Sequence, residues 1–74
     1  MNPEDLRRIT AVRQLAARGE ARALREELRL TLREVADVVG ANPSTVHRWE
    51  HGVSAPRKAH ALRWAAALGI KAAA

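Results

Sequence analysis

A chain of 74 residues without cysteine can build one small domain, with neither disulfides nor thiolate zinc sites, a composition that suits a reducing compartment. Its charge is uneven: residues 1–40 hold eight Arg against seven carboxylates, whereas residues 41–74 hold five Lys or Arg against Glu50 alone, a balance that suits a polyanion partner as readily as mere solubility. No Phe or Tyr is present to build the core, no apolar run approaches the roughly 20 residues of a membrane span, and no signal-peptide core opens the chain, so a cytoplasmic protein with no membrane partner is expected.

Asn2-Pro3-Glu4-Asp5 joins a capping side chain, a proline and an acidic first turn, and predicts a helix start over about residues 3–18. Leu6, Ile9, Val12, Leu15 and Ala16 share one broad side of it. Gly19 ends this helix, or is tolerated at roughly 1 kcal/mol inside one longer helix running to about Arg29. The break is the favoured reading. A second helix then spans about Glu20 to Arg29, with Ala21, Leu24 and Leu28 at the spacing of a buried stripe. Thr31 caps a third helix, and Glu34 completes a capping box. Val35, Ala36, Val38 and Val39 are expected to face inward. Gly40 stops this helix, and Asn42-Pro43 opens a fourth, with Asn42 as the capping side chain, running to His51 before Gly52. Val53-Ser54-Ala55 read as a loop. Pro56 opens a fifth helix that stops at Gly69, and Lys71 with the closing alanines is expected to fray. No strand pattern, repeat or linker appears. The predicted fold is all-α: a compact bundle of about five helices in one domain, containing a helix-turn-helix.

Two abutting helices joined by a glycine turn form the motif whose second helix enters the DNA major groove. Placed at intervals of about 100°, Pro43, Ser44, His47, Arg48 and His51 fall within one arc of roughly 140°. Thr45, Val46, Trp49 and Glu50 fill the opposite arc. The first arc carries no acid and nearly all of it can donate or accept hydrogen bonds. Arg forks onto guanine, Ser pairs with several base edges, and His donates to N7 or phosphate. An ordinary solvated helix face has the same look, so it is the spacing of the two helices that favours DNA.

Glu50 on the inward arc needs a partner, because an isolated buried carboxylate is expensive. Arg25, on the inner half of the second helix, is the candidate. Residues 21–69 resemble the phage repressor and Cro class of helix-turn-helix domains, the XRE family. Arg25 matches that family's first-helix arginine. Thr31-Leu-Arg-Glu-Val-Ala matches its Ser-Gln-x-x-Leu-Ala segment, and Gly40-Ala-Asn-Pro-Ser-Thr-Val-His-Arg-Trp-Glu-His-Gly52 matches its Gly-Val-Ser-x-Ser-x-Ile-Ser-x-Trp/Ile-Glu-Asn-Gly segment. Pro56 and Leu62, Ala65 and Leu68-Gly69 match its closing helix. The resemblance implies an Arg25–Glu50 ion pair, base reading by Pro43, Ser44, His47 and Arg48, and phosphate contacts from Thr31, Leu32, Asn42, Thr45, His51, Arg57 and Lys58. The chain departs from the pattern at Leu32, where the family commonly has Gln, so only the backbone N–H is left there. It departs again at Val53-Ser54-Ala55, which lacks the usual basic residue, and Arg57 and Lys58 are expected to replace it.

His47-Arg-Trp-Glu-His51 also spells H-x-x-E-H, the signature of inverted zinc proteases. Glu50 turns inward and so small a chain has no room for a cleft, so neither an enzyme nor a metal site is assigned. Ser44 and Ser54 have no adjacent base, Trp49 and Trp64 read as core residues, and His60 is expected to face solvent. No cofactor and no small-molecule ligand is expected. The leading expectation is a DNA-binding transcriptional repressor of bacterial or phage origin that blocks polymerase, since no effector or activation domain is evident. Its operator is near-palindromic if the first or fifth helix forms a homodimer. The alternatives are an antitoxin or protein-interaction scaffold of the same fold, or a phage excision accessory factor. The first helix either covers the core, the favoured role, or mediates association.

Overall fold

The computed structural model describes residues 1–71 and forms five helices: α1 (Pro3–Ala17), α2 (Glu20–Glu27), α3 (Leu32–Val39), α4 (Pro43–Glu50) and α5 (Lys58–Ala67). Among the described residues there is no strand. The expectation of fraying at residues 72–74 lies outside them. Asn2 starts α1 through its side chain, which accepts from the Asp5 N–H at 2.7 Å. Gly19 adopts φ +75° and separates α1 from α2, a left-handed turn that other residues resist. The chain thus takes the break rather than the continuous helix. At α3 the capping box is complete: Glu34 N–H donates to Thr31 Oγ1 at 3.0 Å, and Thr31 N–H donates to the Glu34 carboxylate at 2.9 Å.

The core is built from one stripe per helix. Ile9, Val12 and Ala16 come from α1, Ala21 from α2, and Val35, Ala36 and Val39 from α3. Val46 and Trp49 come from α4, with Ala61, Trp64 and Ala65 from α5 and Leu68 at its end. The last four repeat at i, i+3, i+4 and i+7, the seam of a helix covered on one side. α1 lies against α5, α2 and α4, while α3 packs on α4 and α5. The N-terminal helix therefore closes the core over α5, and its buried residues are continuous with those of the helix pair.

Several inward assignments are corrected. Val38 is 63% exposed, because Val35, Val39 and Ala36 already span the covered arc of α3 and Val38 falls beyond its edge. Leu6 is half exposed, about 60° from Ile9 on the side away from Val12. Leu28 is exposed where α2 ends, two residues earlier than expected. It is the C-cap, and Arg29 turns the chain away with φ +59°. Pro56 does not open α5: it is buried in the preceding loop, and the helix begins two residues later at Lys58. Arg13 on α1 donates to the Pro56 carbonyl at 2.9 Å and holds that loop against the core. α4 is one residue shorter than expected, with His51 as its C-cap.

Candidate nucleic-acid interface

The turn between α3 and α4 consists of Gly40, Ala41 and Asn42. Gly40 takes φ +83°, and both its N–H and that of Ala41 reach the Ala36 carbonyl, at 2.8 and 3.0 Å. This left-handed residue stops α3 and redirects the chain within three residues. Asn42 does not cap α4 with its side chain, contrary to expectation. Its backbone carbonyl instead accepts from the N–H groups of Thr45 and Val46, at 3.0 and 3.2 Å. Pro43, whose ring fixes φ, supplies the rest of the start signal. The Asn42 side chain is left exposed.

α4 divides cleanly between core and solvent. Val46, Trp49 and Glu50 are buried and Thr45 is half-buried, whereas Ser44, His47 and Arg48 are exposed, as is the cap residue His51. Pro43 is half-buried at the tip. Arg48 Nη2 donates to Thr45 Oγ1 at 3.1 Å, an exposed bond that a stronger acceptor can replace. His51 Nδ1 lies 2.9 Å from the His47 carbonyl, and the two rings stack with centroids 4.1 Å apart. Thr31 is exposed and Leu32 half-buried at the start of α3, and Arg57 and Lys58 are exposed at the start of α5. Arg33, exposed in the first turn of α3, adds a cation that the sequence reading passed over. Its place between Leu32 and the capping Glu34 was the available signal.

Arg25 and Glu50 anchor this arrangement from inside. Arg25 Nε and Nη2 donate to the two oxygens of Glu50 at 2.6 and 3.2 Å, and Nη1 donates to the Leu30 carbonyl at 2.8 Å. The Glu50 side chain is 1% exposed and that of Arg25 11%. The hydrogen bond to Glu50 raises the Arg25 pKa above its ordinary value, with the Glu50 and Glu26 charges adding to it and desolvation opposing. Arg25 thereby ties α2, the loop before α3 and the end of α4 to one guanidinium. The bond to Leu30 was not foreseen, because nothing local marks that carbonyl as unpaired.

Trp64 is fully buried, and Trp49 lies tilted against it at 5.2 Å between centroids. His60 is not solvent-facing as expected: it is half-buried, with its ring 5.8 Å from that of Trp49. Among the described residues, no group of three or more His, Cys, Asp or Glu gathers to hold a metal ion, and no helix is long and apolar enough to cross a membrane.

A protein-family model described as helix-turn-helix matches residues 22–73. That span is most of the chain, and the protein belongs to the XRE-type helix-turn-helix family. It is a DNA-binding regulator of this type, and its partner is double-stranded DNA. No curated protein matches the chain, and no solved structure does. The matched span begins within α2, so α1 stands outside the family pattern while sharing its core.

Proposed function

We propose that the protein is a repressor of the Cro-like kind, reading a short DNA sequence in the major groove with α4. The observation that carries this is the acid-free outer arc of Ser44, His47, Arg48 and His51, left bare because Glu50, the one carboxylate of α4, is turned in against Arg25. Arg48 and Ser44 are the principal base readers, with His47 beside them and Pro43 offering apolar contact to a thymine methyl. Thr31, Leu32, Asn42, Thr45 and His51 flank the reading face and take phosphates, Leu32 through its backbone N–H at a helix start. Arg57 and Lys58 extend the same rail after α4, and Arg33 joins it at α3. Phosphate contacts of this sort set register without reading sequence.

The test is selection of bound duplexes from a random library, repeated with two variants. Arg48→Ala should relax preference at one base position, by about 1–3 kcal/mol of discrimination. Lys58→Ala should weaken all duplexes alike and reduce the salt slope by about one. Identical profiles for the two variants would refute the division between reading and positioning. If two copies bind together, the selected sites will be near-palindromic with half-sites about 34 Å apart. A scaffold or antitoxin that contacts DNA only incidentally would yield no enriched sequence and only salt-labile binding.

A further inference from the structure

The H-x-x-E-H pattern loses its carboxylate in the folded chain, because Glu50 is buried and engaged by two nitrogens of Arg25. What remains is a pair of exposed imidazoles one helical turn apart, their rings stacked at 4.1 Å with planes 25° from parallel. The geometry points to a binding site for a divalent transition-metal ion, of the zinc, nickel or copper class, formed by His47 and His51.

Three features of the pair support a chelate. Imidazole nitrogen is a preferred donor for these ions, and two histidines at i and i+4 hold one ion from a single helix face. The stack keeps the two rings adjacent, and rotation about χ2 turns their in-plane lone pairs, nearly parallel in the stack, toward one ion. His51 Nδ1 lies 2.9 Å from the His47 carbonyl, and a carbonyl can only accept. Nδ1 therefore carries a proton, which in the neutral ring leaves the lone pair on Nε2. Metal-ligating histidines are commonly oriented in this way, by donating the other ring N–H to a carbonyl. Arg48, the nearest cation in sequence, is bonded to Thr45 Oγ1.

No third His, Cys, Asp or Glu joins the pair among the described residues, so water completes the coordination. A closed structural zinc site has four protein ligands. This one is open and exchangeable, as a reversible effector site requires. Its consequence rests on the proposed DNA reading: both imidazoles lie on the arc that would face the groove, so a hydrated ion and a base pair claim the same space. Metal and DNA then exclude one another, each weakening the other's binding by the same factor.

The site is tested with zinc ion on the metal-free full chain at about pH 7.5, because metal affinity of histidine ligands depends on pH. The histidine ring resonances are followed by NMR. Those of His47 and His51 should shift together, saturating at one ion per chain, while those of His60 against Trp49 stay put. His47→Ala and His51→Ala, both at exposed positions, should each weaken zinc binding about tenfold or more, with unchanged amide spectra elsewhere. Wild-type affinity in either variant, or an equal response of His60, would overturn the site. In a second arm, saturating zinc should weaken binding of a selected duplex about tenfold in the wild type and leave His51→Ala unaffected. Equal weakening in both would overturn the competition. If no duplex is ever selected, the DNA reading fails, and the zinc titration still decides the site.

Discussion

Glu50→Ala is expected to lower the free energy of unfolding by about 3–5 kcal/mol, the cost of leaving a buried guanidinium without its counter-charge. A domain of this size has a total stability of roughly 4–11 kcal/mol, so the variant should lose from about a quarter to all of it. The reason lies in the geometry: both Glu50 oxygens accept from Arg25, and the carboxylate is 1% exposed. Water reaches the vacated carboxylate position only past the Arg25 side chain, which is 11% exposed. Arg48→Ala, two residues earlier but on the exposed arc, should change stability by no more than about 0.5 kcal/mol. Urea unfolding followed by circular dichroism measures both, and equal losses would contradict the assignment. Replacing both Arg25 and Glu50 by apolar residues of similar volume should recover part of the loss. Recovery should be incomplete, because the Leu30 carbonyl loses the donor that Arg25 Nη1 provides.

Trp64→Ala is expected to cost a similar amount, about 3–5 kcal/mol, through a cavity at the centre of the bundle. Trp64 is 0% exposed, comes from the helix that α1 covers, and packs against Trp49. Its loss removes the ring against which Trp49 of α4 packs, so DNA binding should fall along with stability. Trp64→Phe separates packing from polarity. The indole Nε1 is buried without a hydrogen-bond partner, so phenylalanine removes an unsatisfied donor while keeping an aromatic ring against Trp49. It should cost less than half as much as alanine, measured by the same urea titration. Equal costs would contradict the packing role assigned to the ring against Trp49.

Much of the fold and of the site face is legible in local chemistry. The Thr31–Glu34 box, the Gly40 stop and the alternation along residues 43–51 each depend on neighbours within a few positions. Each therefore leaves a direct mark in the sequence. Two departures, at Pro56 and His60, depend on distant partners, and the others on how each arc and cap is filled. Pro56 has the signature of a helix start, but Arg13, far away on α1, holds its carbonyl in a loop. His60 reads as solvent-facing until Trp49 is placed beside it. Asn42 carries the right side chain for a cap, yet its backbone carbonyl and Pro43 suffice, and the side chain stays free. Leu6 and Val38 share the apolarity of their helices without being covered, since each lies just beyond an arc that other apolar residues fill. The Arg25–Glu50 partnership is an intermediate case. The need for a cation near Glu50 follows from burial cost alone, while the third bond, to Leu30, follows only from how α2 ends.

The outer arc of α4 is the surface proposed to meet DNA. Amide and side-chain chemical-shift mapping of the full chain, titrated with a duplex obtained by selection, tests it most directly. The largest changes are expected at Ser44, His47, Arg48 and His51, with smaller ones at Thr31 and Leu32 and at Arg57 and Lys58. Changes confined to α1 and α5, with the α4 resonances unmoved, would contradict it.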